Sequence, residues 1–233
     1  MTEPILVCCA HGTRSEAGQR LVSELAQAAG ELLDVEVREA FVDVQEPRID
    51  DVIAGIEPAP GVSAVVVPVL LSRGFHVFHD IGNAAKDRSD VLVSATLGPD
   101  PRIAAIIVDR LAAVGARSSD PVVLAAAGSS DARAQSDVEA ATALLAEQWA
   151  GPVSAAYAAS AEPTVSEAIA ASAVSAAVAS YLLAPGYFHD SLTAMTDLLV
   201  TAPLAPDRRL VEIVADRYRD AIRAAGDSPV NES

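Results

Sequence analysis

The chain is poor in basic residues, aromatic rings and cysteine, and each shortage removes a class of function. Lysine and arginine total 16 against 32 acidic residues, a net charge of −16, so no face broad enough to hold a phosphate backbone is expected. Aromatic residues make up 4% of the chain, which leaves little for base stacking, and nucleic acid is not an expected partner. The only cysteines, Cys8 and Cys9, are adjacent in an apolar run that reads as a strand. Their side chains are expected on opposite faces of a sheet, where no structural disulfide forms, in keeping with a reducing cytoplasm. The opening Met1-Thr2-Glu3-Pro4 carries no basic stretch, so no secretion signal is expected. Residues 168–188 carry no charge, but alanine, serine, Pro185 and Gly186 do not supply the roughly 20 strongly apolar positions of a membrane span. That stretch reads as the end of a helix followed by a buried strand. Neither Gly-x-x-x-x-Gly-Lys-Ser/Thr nor a Gly-x-Gly-x-x-Gly after a strand occurs, so ATP is not expected to take part.

What is present is a chain 51% hydrophobic, enough to bury a real core, in which short β-branched runs alternate with helical patterns. This is the signature of βαβ units around a parallel sheet, hence an α/β fold. Strands are expected at 5–10, 35–42, 62–68 and 91–96, with helices at 15–33, 48–56, 79–88 and 101–114. After the turn-rich segment 115–121 the pattern begins again. Ala126-Ala127-Gly128-Ser129-Ser130-Asp131 answers Ala10-His11-Gly12-Thr13-Arg14-Ser15, and Leu182-Leu183-Ala184-Pro185-Gly186-Tyr187 answers Leu70-Leu71-Ser72-Arg73-Gly74-Phe75. Further strands are expected at 122–127, 153–158, 174–181 and 198–200. The implied organisation is an internally duplicated pair of parallel-sheet lobes, 1–116 and 117–225, facing a central cleft, followed by a polar tail at 226–233. Ligand crevices open at the carboxyl ends of such strands.

The four histidines, His11, His76, His79 and His189, all fall just after strands at that rim. With the common strand order 2-1-3-4, strands one and three are neighbours and His11 and His76 meet in one crevice. Imidazole binds first-row metals, and its ordinary pKa near 6.5 lets it take up a proton near neutral pH. A histidine pair therefore suits metal handling coupled to proton removal. A permanent zinc site is not expected, because no paired-cysteine loop is present.

Ala10-His11-Gly12-Thr13-Arg14, with the run from Pro68 through Gly74-Phe75-His76-Val77-Phe78-His79-Asp80-Ile81, resembles the sirohydrochlorin chelatases of the CbiX/SirB type. The resemblance covers nearly the whole chain and implies the two-lobed class II chelatase fold shared by ferrochelatase. It implies a cytoplasmic lyase that inserts ferrous iron, the favoured metal, or cobalt into sirohydrochlorin, on the way to sirohaem or cobalamin. The metal is then a substrate and no permanently bound cofactor is required. Its metal-site histidines carry over onto His11 and His76. The second lobe departs from the pattern, since Ala127 stands where His11 stands in the first, so a degenerate second site is expected.

A carboxylate-rich macrocycle needs local cations and free amides. Arg14 and Arg73 flank the histidine loops as candidate carboxylate clamps. Gly12 and Gly74 let backbone approach a flat ligand, and helices starting near Ser15 and Ser130, the latter preceded by Ser129, present N–H groups toward the cleft. His189 either touches substrate or caps its helix. Asp43 and Glu46 are further candidates for guiding metal. Two rivals stay open: a non-catalytic metal or tetrapyrrole carrier, although no dense His or Cys tract occurs, and a histidine phosphatase, although Ala10 stands where that chemistry wants an arginine. A duplicated chain can form the full cleft as a monomer, without a membrane.

Overall fold

The first strand, β1 (Ile5–Ala10), is buried almost throughout because both of its faces are covered. Leu6, Cys8 and Ala10 enter one apolar layer, while Val7 and Cys9 enter another on the opposite side of the sheet. The two thiols therefore point apart, as period-two geometry requires. Parallel strands need crossover connections, which here are helices. In the computed structural model, residues 3–172 and 176–227 are described, and the side chains of 75–78 lie outside that description.

The chain continues through α1 (Glu16–Leu33), β2 (Val37–Phe41), α2 (Ile49–Ala54), β3 (Ala64–Pro68), α3 (Phe75–Ala85), β4 (Val91–Val93) and α4 (Pro101–Ala113). The second half runs β5 (Val122–Ala126), α5 (Ala132–Ala146), β6 (Val153–Tyr157), α6 (Val165–Ala171), β7 (Ala177–Tyr181), α7 (Tyr187–Met195) and α8 (Arg208–Gly226). The parallel sheets have orders β2-β1-β3-β4 and β6-β5-β7, so each central strand is the first of its half.

Two expectations need correction. The segment 198–200 forms no strand but a single bridge, Val178 to Val200, because the Thr201 hydroxyl accepts the Ser180 N–H and ends the ladder. The third helix begins at Phe75 rather than His79, so His76 lies inside α3 instead of ahead of it and His79 is in its second turn. Residues 174 and 175 of the expected seventh strand lie outside the described residues.

The sheets share a central apolar layer instead of having separate cores. Inward-facing Val65, Val67, Leu124 and Ala179 meet Ile103, Ile106, Ile107 and Leu111 of α4 and Leu210, Ile213 and Val214 of α8. The last helix of each half crosses over: α4 packs on α5 and β7, while α8 packs on α1, β3 and β4. On the outer faces, α2 and α3 cover the first sheet and α6 and α7 the second. Among the described residues no helix is long and apolar enough to cross a membrane.

Candidate active site between the sheets

The shared core fills the space between the sheets except at the carboxyl ends of the strands. There a cavity of about 760 Å³ opens, lined from one side by His11, Gln45 and Ser72 and from the other by Ser129, Tyr181 and His189. Its size lies in the range of small-molecule sites.

His11 follows β1 directly and its loop is fastened by several bonds. Its carbonyl accepts the Asp43 N–H (3.0 Å), Thr13 N–H donates to Gln45 Oε1 (2.8 Å), and Gln19 Nε2 donates to the Thr13 carbonyl (2.8 Å). Ser15 then caps α1 by accepting the Gly18 N–H. Gly12 has φ +98°, and a Cβ there would collide with the Asp43 carbonyl oxygen, so this turn demands glycine. The second half repeats the device. Gly128 has φ +94°, Ala127 accepts from Ala159 N–H (3.0 Å), Asp131 caps α5, and Gln135 reaches back to Ser129 as Gln19 does to Thr13. The scaffold is thus duplicated while the imidazole is not.

β1 and β3 pair with Cys9 opposite Pro68, which places the loop after β3 beside His11. Ser72 and Gly74 line the cavity, Gly74 caps α3, and His76 is the second residue of that helix. The His76 side chain lies outside the described residues. On the second sheet, His189 stands on α7, whose cap is Gly186, so the helix-capping alternative is not what is found. Its Nδ1 instead lies 3.3 Å from Oγ of the buried Ser180. Partial burial lowers the His189 pKa, outweighing the opposing effect of Asp190, and keeps the ring neutral near pH 7.

Of the candidates, His11, Gly12, Gly74, Ser129 and His189 line one cavity, and Arg14 and Arg73 are not among its lining residues. Arg73 is committed elsewhere: its Nε and Nη2 form a bidentate pair with Asp137, at 2.7 Å for the closest contact. Asp43 and Glu46 also lie outside the lining, whereas Gln45 between them belongs to it. His79 is exposed, with its ring 2.9 Å from Asn83 Nδ2. Burial holds the Cys8 thiol far above the usual range and pushes Cys9 up to about 12, so neither offers a thiolate. Among the described residues no group of three or more metal-ligating side chains gathers.

Sequence reasoning missed Gln45, Tyr181, Tyr187, Phe188 and Asp137. Tyr187 and Phe188 stand at the cavity edge to face, centroids 5.6 Å apart, and Tyr187 is 79% exposed. Asp137 did leave a trace: it is an acid on the buried face of α5, between Ala134 and Ala141 at helical spacing. The cavity is walled by apolar groups such as Val69, Leu70 and Tyr157, with hydroxyls of Thr13, Ser72, Ser129 and Ser160 around it. It can accommodate a broad, partly apolar ligand with hydrogen-bonding edges, presented to an imidazole on each wall.

The sequence model of the CbiX family matches this chain twice, over residues 5–114 and 121–221. A sirohydrochlorin cobaltochelatase of Sulfolobus acidocaldarius is 27% identical over 108 residues, covering 45% of this chain and 87% of that relative. SirB from Bacillus subtilis, solved with Fe3+, superposes with a TM-score of 0.77 at 20% identity, over 97% of this chain and 98% of that one. The structure of CbiX described as the terminal enzyme for siroheme biosynthesis in denitrifying bacteria superposes with a TM-score of 0.68 at 16% identity, over 94% and 99% of the two chains. At these identities the solved structures establish the fold.

Proposed function

The chain belongs to the CbiX family, whose model spans both of its halves, and from that premise we propose that it inserts a divalent metal into a sirohydrochlorin-type tetrapyrrole without nucleotide hydrolysis. The observation that carries the reading is His11, set at the carboxyl end of the central strand on the wall of an open cavity, beside the loop that leads to His76. The metal is a substrate, ferrous iron or cobalt. The cobaltochelatases among the relatives and the iron-bearing SirB each support one of the two. The product would feed sirohaem or cobalamin formation.

Metalation requires that the metal shed water, that pyrrole protons leave, and that the macrocycle present its nitrogens on one face. In this reading His11 and His76 take the metal, exchanging its waters for imidazole nitrogen, and as the metal passes to the ring the two freed imidazoles take up the two displaced pyrrole protons. In the same reading His189, which lines the opposite wall and is neutral near pH 7, contacts the macrocycle from that side. Gly74 borders the cavity with open space where a Cβ would stand, so its backbone can approach a flat ring, whereas Gly12 makes room for the Asp43 carbonyl. Ring carboxylates are met by hydroxyls such as Ser129 and by N–H groups at the helix starts, rather than by Arg73, which Asp137 occupies. The metal site then belongs to residues 1–116, and residues 117–225 supply the facing wall.

The test follows the absorbance change of sirohydrochlorin with ferrous iron and cobalt side by side, using wild type, His11→Ala and His76→Ala. Each variant should lose on the order of 100-fold in kcat/KM with its circular dichroism unchanged. Near-normal turnover in both variants would overturn the assignment. Tight metal or macrocycle binding by wild type with no acceleration of insertion would instead establish a carrier.

A further inference from the structure

The loop that leads to His76 is held by the other half of the molecule. Asp137, on α5, is 4% exposed, and its carboxylate accepts from the Arg73 backbone N–H (2.8 Å) as well as from the guanidinium. Tyr181, at the end of β7 and 2% exposed, donates its hydroxyl to the Leu71 carbonyl at 3.1 Å. Two buried polar groups of the second half thus grip two backbone groups just ahead of α3.

The internal repeat makes this asymmetric. Gly12 matches Gly128 and the caps Ser15 and Asp131 match, which carries Asp137 onto Leu21. Gly74 and Gly186 are matching caps, which carries Tyr181 onto Val69. Neither Leu21 nor Val69 can hydrogen-bond through its side chain, so the reciprocal loop, 183–186, receives no such grip at these positions. The polar anchors thus serve the half that carries His11, and at the two matching positions their counterparts are apolar.

We propose that Asp137 and Tyr181 are positioning residues for the metal site of the opposite half, fixing the Leu71–Gly74 loop and with it the start of the helix that carries His76. The proposal rests on His11 and His76 holding the metal. It gives the second half a task beyond walling the cavity: a ligand helix whose preceding loop was free to shift would lose the geometry a small cation demands.

The experiment measures binding of Co2+ alone to the full chain by its visible absorption, with kcat and KM for insertion and a thermal melt for every variant. Tyr181→Phe keeps the ring and removes one donor. Asp137→Ala leaves an Arg73 side chain that is 46% exposed and can be solvated, whereas removing Arg73 would strand a buried carboxylate. Asp137→Asn keeps an acceptor for the Arg73 N–H. Asp90→Ala is the control, breaking the Arg88–Asp90 pair beside Ser63, which precedes β3 at the other end of the sheet.

Asp137→Ala and Tyr181→Phe should each weaken cobalt binding on the order of tenfold and alter its absorption bands, with Asp137→Asn intermediate. Asp90→Ala should lower the melting temperature while leaving cobalt affinity as in wild type. Wild-type cobalt affinity in Asp137→Ala and Tyr181→Phe would overturn the proposal, and so would an equal loss in Asp90→Ala. The reading beneath it fails separately, if His11→Ala and His76→Ala bind cobalt as tightly as wild type does.

Discussion

Removing α8 should unfold the first half of the molecule, although that helix is the last element of the second. Its buried face carries Leu210, Ile213 and Val214 at 0% exposure and Tyr218 at 3%, with spacing that puts all four on one stripe. Burying such side chains contributes about 1.5–3 kcal/mol each, so the four contribute on the order of 6–12 kcal/mol. The Tyr218 hydroxyl adds a 2.6 Å hydrogen bond to the Pro4 carbonyl, at the entrance to β1. A domain's whole stability is only about 5–15 kcal/mol, so the loss is of the size of the total. The assay is a chain ended after residue 206, compared with the full chain by circular dichroism, size exclusion and thermal melting. The milder Ile213→Ala should cost about 2–5 kcal/mol and lower Tm by roughly 4–20 °C. Truncated protein that stays monomeric and melts cooperatively within a few degrees of the full chain would refute the reasoning. So would a monomeric, cooperatively melting fragment 1–116, since the first sheet would then have no need of α8.

Two further outcomes follow from single residues. Gly12→Ala should cost about 2–3 kcal/mol in chemical denaturation, from the positive φ and from the collision of its Cβ with the Asp43 carbonyl, and a midpoint equal to wild type would contradict the turn described. His189 should titrate by NMR below the ordinary imidazole value of about 6.5. Because its folded pKa is depressed, the unfolded chain takes up this proton first. The contribution to stability is therefore complete above about pH 6.5 and is lost as the pH falls through the folded value. His189→Ala should flatten that part of the stability profile, and an unchanged slope would rule the effect out.

The strand bounds at Ile5–Ala10 were legible in full because a strand covered on both faces is an unbroken apolar run ended by a polar turn. The duplication was legible in the paired Gly12 and Gly128 turns, since only glycine tolerates that backbone, and in the paired Gly74 and Gly186 caps. The start of α3 was not. Phe75, His76, Val77 and Phe78 are indifferent helix formers, and Gly74 caps them without a side-chain bond, so no local signal marks the boundary. The segment 198–200 was expected as a strand and is only a bridge at Val200, because the Thr201 hydroxyl that ends the ladder acts on Ser180 across the chain.

The sequence by itself determined the α/β class, the repeat and the setting of His11 directly after the first strand, because each follows from local periodicity and from residues that only one backbone geometry admits. Which sheet α4 and α8 would cover, and that Arg73 would be bound to an aspartate 64 residues away instead of facing the cavity, only the tertiary structure decided. An apolar stripe or a lone charge records that a partner is needed, while packing and Coulomb attraction in the folded chain select which one it is.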